Sequence, residues 1–253
     1  MKTIAIANEK GGAGKTSTAA ALWYWMNRHG RKTLAVDLDP QGNLSLVADA
    51  ATEGPTALGA LLREIPAADA IQHTEQGDII AASPVQNKAD TVLTQLGRER
   101  RLKEALDTVA DGYEYAIVDT SPYLGILTIN ALAAADTVVI PAQADLFSVH
   151  GIGQLADCIK DVRNYCNNPS LQVDGILLTR YTDRANLSKA IRGELAAKAE
   201  EMGGRLYESA IREAIAVKEA QVKHVSIFDY APGAKVTADY EAFCEEFLKG
   251  LEA

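Results

Sequence analysis

Eight residues, 10-KGGAGKTS-17, constrain this chain more than any other stretch. They follow Lys2–Ala7, a short run with β-branched residues. They precede a segment, Lys15 to about His29, in which Ala19, Leu22, Trp23 and Met26 recur at i, i+3, i+4 and i+7. Strand, glycine turn and amphipathic helix are therefore expected in that order, with Gly30 ending the helix at its C′ position. Gly11, Gly12, Ala13 and Gly14 let the backbone approach a phosphate closely and turn several N–H groups inward. The helix start, Lys15-Thr16-Ser17, adds its partial positive charge. Lys15 can reach the β- and γ-phosphates, and the Thr16 hydroxyl can ligate Mg²⁺. From average residue usage, a chance match of this kind has odds on the order of one in a thousand. The usual first glycine of such a loop is Glu9 here, and a second lysine, Lys10, stands at its mouth. Two ammonium groups so close repel each other unless phosphate lies between them, or unless Lys10 points away toward the nucleotide of a second subunit.

The rest of the chain alternates in the same way. Strands are expected at Thr33–Val36, Asp78–Ala81, Tyr115–Val118, Thr137–Ile140 and Val173–Leu178. Helical stretches lie between them, among them Gly151–Tyr165 with Ile152, Leu155, Ile159 and Val162 on one face. Strands separated by helices imply βαβ units and a doubly wound, mostly parallel α/β sheet. Several strands lack polar alternation, as expected when helices cover both faces. No repeat, low-complexity tract or linker breaks the pattern, so residues 1–253 read as one domain.

Two further segments belong with the loop. The second strand runs into 37-DLDPQGN-43, and the strand at Tyr115–Val118 runs into 119-DTSPYLG-125. Ligands of open parallel sheets sit beyond the C-terminal ends of the strands, so the three segments converge. Asp119 has the position of an acid that holds the hydration shell of Mg²⁺. Asp39, two residues past a strand end, can orient an attacking water or reach the metal through water. Asp37 is expected to support the loop from behind.

Composition removes other classes. Hydrophobic residues make up 47% and charged residues 23%, which is ordinary for a globular chain of 253 residues. The longest apolar runs fall far short of a membrane span, and the apolar stretch near the N-terminus is too short for a secretory signal. Cys158, Cys166 and Cys244 form no CxxC motif and read as reduced thiols of a cytoplasmic protein. The net charge of −9 argues against a dedicated nucleic-acid binder. Its distribution is uneven: residues 180–235 carry ten Lys/Arg against eight Asp/Glu, the remainder fifteen against twenty-six. A local cationic surface is compatible with that balance.

These residues resemble a known family. KGGAGKT, with Lys10 as signature lysine, looks like the deviant Walker A motif of the ParA/MinD class of P-loop ATPases. DLDPQGN and DTSPYLGILTINALAAADTVVIPAQADLFSVHGIGQL look like the two switch segments of ParA partition ATPases. The likeness continues through 176-ILLTRYTDRANLSKAI-191 and 228-FDYAPGAKVTADYEAF-243, covering nearly the whole chain. The resemblance implies a P-loop NTPase fold and ATP hydrolysis with Mg²⁺. It also implies an ATP-bound homodimer in which Lys10 contacts the partner's phosphates, and binding of double-stranded DNA without sequence preference. A ParB-type centromere-binding protein would stimulate hydrolysis and release the DNA. By the same carry-over Lys15 stabilises phosphates, Thr16 ligates Mg²⁺, Asp39 activates water and Asp119 holds the metal's water shell. Thr179, Arg180 and the turn at Pro232 are expected around adenine, and the location implied is cytoplasmic, on the nucleoid.

DNA candidates are Arg184, Lys189, Arg192, Lys218, Lys223 and Lys235. Lys189 and Arg192 lie i, i+3 on one helix, opposite Leu187, Ile191 and Leu195. Relatives often carry Ile-Pro-Arg-x-x-Arg for DNA; here 211-IREAIA-216 has Glu213 and Ala216 where the arginines would be. A MinD-like membrane-associated ATPase is the alternative, but it needs a basic amphipathic tail, and 237-TADYEAFCEEFLKGLEA-253 is acidic. No cysteine lies near the second switch segment, as a shared iron–sulfur cluster would require. The chain begins almost at its first strand, so no N-terminal helix-turn-helix domain and no operator-specific autorepression are expected.

Overall fold

The computed structural model describes residues 1–181 and 186–252, with side chains throughout except at 186–189. Among the described residues, eight strands form one sheet in the order β3-β4-β2-β5-β1-β6-β7-β8. They are β1 (Lys2–Ile6), β2 (Thr33–Asp37), β3 (Ile71–Thr74), β4 (Gly77–Ile80), β5 (Tyr115–Asp119), β6 (Thr137–Ala142), β7 (Gln172–Tyr181) and β8 (Arg205–Arg212). Every pairing is parallel except β3 with β4. The doubly wound, mostly parallel sheet is thus the observed fold. The hairpin strand β3 and the far edge strand β8 are additions to the expected set.

Alternate residues of each central strand feed two separate cores. Ile4, Ile6, Ala35, Ile117, Val139 and Leu177 face one side, where they meet helices α1 (Lys15–Arg28) and, at the end of the chain, Lys235–Glu252. Ala5, Leu34, Val36, Val118, Val138 and Ile176 face the other, under α2 (Ile126–Ala134), α3 (Leu146–Tyr165) and α4 (Asn186–Glu201). Burial on both faces is why these strands read as unbroken apolar runs. In α1 the fully buried Trp23 also donates its indole N–H to the Thr33 carbonyl at 3.2 Å, fixing the helix on β2. The helix ends with Gly30 at φ +73°, a conformation that glycine adopts without strain.

Two further helices matter to the site, α5 (Ile215–Val222) and α6 (Lys235–Glu252). The apolar stripe of α6, with Val236, Tyr240, Phe243 and Phe247, is consumed by the core. No helix among the described residues is long and apolar enough to cross a membrane. All three cysteines are free thiols, and burial pushes Cys158 up to about 11, a value at which the reactive thiolate is scarce.

Candidate nucleotide site

The glycine loop joins β1 to α1 at the C-terminal edge of the sheet. Gly12 and Gly14 lie at φ +73° and +88°, and a Cβ on Gly14 would sit 3.4 Å from Thr179 Cγ2. Thr179, at the end of β7, donates its hydroxyl to the Ala13 carbonyl at 2.7 Å. The loop is therefore pinned from a strand two places away in the sheet. Gly14 is the N-cap of α1 and supplies no side-chain acceptor, so the first-turn N–H groups are left for an anion.

Lys15 is buried, and its Nζ donates to the Lys10 carbonyl at 3.2 Å. Burial lowers its pKa, while Asp119 and Asp39 pull the other way. The adjacent strands β1, β5 and β2 deliver the acids, with Asp119 in register with both Ile6 and Asp37. Asp37 is fully buried and accepts from Asp39 N at 3.0 Å, Ser45 N at 2.8 Å and Ser45 Oγ at 2.7 Å. It braces the 37–45 loop, and burial still pushes it up to about 6. Asp39, nearly buried, accepts from Gln41 N at 2.9 Å. Asp119 is fully buried, and neither of its oxygens has a hydrogen-bond partner of good geometry. Burial first, and the charge on Asp37 next, raise its pKa well above the carboxylate range; the nearby Thr16 hydroxyl opposes the shift. An orphaned buried carboxylate beside a threonine hydroxyl suits a cation. Among the described residues no group of three or more His, Cys, Asp or Glu is placed to hold a metal ion by itself. Mg²⁺ keeps several waters and is commonly shared with nucleotide phosphates rather than caged by protein.

Lys10 points away from Lys15. Its ammonium contacts the Asp145 carboxylate and donates to Gln143 Oε1 at 3.1 Å, while Gln143 Nε2 donates to the Gly12 carbonyl at 2.8 Å. Asp145 is also the N-cap of α3, accepting from Ser148 N at 2.9 Å. Burial works against its ionisation, but Lys10 and the Ser148 N–H hold its carboxyl below the usual range. Sequence reasoning missed Gln143 and Asp145; an Asp just before an apolar-periodic segment, three residues ahead of Ser148, was the available capping signal.

These groups open into a cavity of about 820 Å³. The glycine loop, Lys15, Thr16 and Asp39 form its phosphate end. Thr179, Arg180, Ile211–Ala214 and α5 residues form a second wall, and Gln41, Asn43, Leu46 and Val47 a third. Of the residues expected around adenine, Thr179 and Arg180 line the cavity. Pro232 does not; it is exposed outside it, whereas residues at the end of β8 and just after it do line the cavity. The DNA candidates that are described come from different elements of the chain. Arg184 lies outside the described residues, as does the side chain of Lys189. Arg192 is half-buried on α4, Lys223 is exposed, and Lys235 sits exposed beside the Arg212–Asp239 ion pair. Lys218 lines the cavity itself.

A phosphate loop between the first strand and helix of a parallel sheet, with a buried lysine and strand-end acids converging on it, defines a P-loop ATPase. A family model described as an AAA domain matches residues 1–173. The chromosome partitioning protein ParA of Myxococcus xanthus is 40% identical over 77% of this chain and 70% of its own length. The sporulation initiation inhibitor protein Soj of Bacillus subtilis is 35% identical over 94% and 96%. The chain belongs to the ParA/Soj family of P-loop ATPases. Among solved structures, cobyrinic acid a,c-diamide synthase from Mycobacterium smegmatis, with bound ATP analog and magnesium, superposes with TM-score 0.82. It is 28% identical and covers 100% of this chain and 96% of that one.

Proposed function

We propose that this chain is a DNA-partition ATPase that dimerises on ATP, binds DNA without sequence preference as the dimer, and is reset when a ParB-type partner stimulates hydrolysis. The observation that carries this reading is Lys10, a lysine at the mouth of the loop whose ammonium is turned away from its own phosphate site. A lysine serving its own phosphates belongs inside the loop, as Lys15 is. One serving a second copy belongs on the surface that the copy approaches.

The roles divide by position. The glycine loop, Lys15, Thr16 and Ser17 bind the phosphates, and Thr179 and Arg180 flank the rest of the nucleotide. Thr16 and Asp119, with Asp39, would hold Mg²⁺, and the ion bound there would supply neutralising charge for the phosphates. Asp39 orients the attacking water. Lys15 from one copy and Lys10 from the other offset the charge that grows on the transferring phosphoryl group, so catalysis is largely electrostatic. Lys223, Lys235, Arg192, Arg184 and Lys189 are the candidate phosphate contacts to DNA. A dimer doubles such a weak patch, and its binding falls steeply with salt. A membrane-associated, MinD-like role finds no support in α6, whose apolar face packs inside the protein.

The test is retention on nonspecific double-stranded DNA at low salt, with anionic liposomes in parallel. Wild type is expected on DNA with ATP and not with ADP. Asp39→Ala is expected to stay on DNA with ATP because hydrolysis stops. Retention indifferent to nucleotide, or liposome binding in its place, overturns the reading.

A further inference from the structure

Helix α5 turns one face to the nucleotide cavity: Ala214 at its N-cap, then Val217, Lys218 and Gln221, the i, i+3, i+4, i+7 spacing of a single stripe. The stripe is fixed against the phosphate end by Gln221, whose Nε2 donates to Ser17 Oγ at 3.0 Å. Ser17 lies directly after the Lys15-Thr16 pair. A nucleotide anchored by its phosphates at the start of α1 must therefore carry its sugar and base outward along α5.

Three cations lie on that side of the cavity, and two are already paired. Arg180 donates to Glu213 at 2.5 Å, and Arg212 to Asp239 at 2.6 and 2.7 Å. Lys218 forms no ion pair and no hydrogen bond among the described residues. Its ammonium feels the Glu213 carboxylate without bonding to it, and it lines a cavity suited to a polyanion on a chain of net charge −9. The stretch 211-IREAIA-216 has meanwhile exchanged its expected arginines for Glu213 and Ala216.

We propose that Lys218 is a nucleotide-binding residue rather than a DNA contact, donating to the ribose–base portion of the nucleotide, or to the phosphate nearest it, from the wall opposite the glycine loop. This rests on the nucleotide reading of the cavity. Because the contact lies away from the γ-phosphate, it serves ADP and ATP alike. It sets how tightly nucleotide is held in both states without deciding which state dimerises, which is uniform binding in the catalytic sense.

The test titrates a fluorescent ADP and a non-hydrolysable ATP analogue, both with Mg²⁺, against wild type, Lys218→Ala, Lys218→Arg, Lys223→Ala and Lys15→Ala. Lys218→Ala is expected to weaken both nucleotides about three- to tenfold, Lys218→Arg to restore most of that, and Lys223→Ala to change neither. The melting temperature of nucleotide-free Lys218→Ala should match wild type, since the side chain is exposed and unpaired. At saturating ATP analogue its DNA retention should equal wild type. Unchanged ADP affinity in Lys218→Ala, alongside lost affinity in Lys15→Ala, overturns the assignment. So does lost DNA retention at saturating nucleotide. Wild-type affinity in Lys15→Ala would instead overturn the nucleotide reading on which the assignment stands.

Discussion

Two residues at the site are held at a cost, and each makes a measurable prediction. Asp119 is a buried carboxylate with no good hydrogen bond, beside a second buried carboxylate, Asp37. Ionising it there costs stability, which the nearby Lys15 offsets only in part and a bound cation would relieve further. Asp119→Asn should therefore raise the melting temperature of the nucleotide-free protein, by about 2–4 °C for each kcal/mol relieved in a domain this large. The same variant should lose the extra stabilisation that Mg²⁺ gives over nucleotide alone. Thermal melts with and without Mg²⁺ and ADP check both halves; a lower melting temperature without ligand would contradict them. Lys10 is held in the opposite sense, by Asp145 of its own chain. That contact competes with any phosphate of a second copy. Asp145→Asn keeps an oxygen to cap Ser148, so α3 stays intact, but it releases the ammonium. Dimerisation with a non-hydrolysable ATP analogue should then set in at lower protein concentration, as sedimentation would show.

At the scale of elements, what could be read from sequence follows from burial. β1, β2, β5, β6 and β7 are apolar on both faces, so their runs announce strands. β8 is an edge strand that alternates buried Tyr207 and Ile211 with Arg205, Glu208 and Arg212, and no apolar run marks it. β3, with Gln72, His73 and Thr74, is as polar and pairs only with β4. The half of the site made by the loop and the acids was legible because parallel strands bring their C-terminal ends together in any order, so Gly11–Thr16, Asp39 and Asp119 could be joined without knowing the topology. The wall beyond Thr179 was not, because it is built from the end of the unrecognised β8 and from α5, while the turn at Pro232 lies outside the cavity. The pairing of β7 with β8 also carries its own test. A Cβ at Gly175 would lie 2.5 Å from the Arg205 carbonyl oxygen and 3.0 Å from the Tyr207 ring. Neither is free to retreat, since the first is backbone and Tyr207 is fully buried, its hydroxyl on Asp174 at 2.5 Å. Gly175→Ala should destabilise the protein by about 1–3 kcal/mol in denaturant unfolding, and a neutral result would mean that β8 does not pack where it is placed.

For the whole molecule, the proposed function raises the question of how an acidic protein would meet both DNA and a copy of itself. With a net charge of −9, long-range forces oppose both encounters. Something short-range has to hold the copies together before cations on two chains can be presented side by side. Exposed apolar side chains on two segments that adjoin the site have that character. Phe147 is 81% and Leu146 67% exposed, both on the first turn of α3 directly after Asp145, which holds Lys10. Tyr123 is 67% exposed and follows Pro122, which lines the nucleotide cavity. Aromatic and aliphatic side chains clustered beside polar functional groups are what a partner surface buries. If a second copy covers this face, Phe147 goes from water to a dry contact, and a carboxylate in its place would meet both burial and the acidity of the other chain. Phe147→Glu should therefore abolish the ATP-dependent dimer in sedimentation while leaving the monomer folded and its ADP affinity unchanged. DNA retention should disappear with the dimer, at every salt concentration at which wild type is retained. A Phe147→Glu protein that still dimerises on ATP would place the contact between copies on another face, and Lys10 with it.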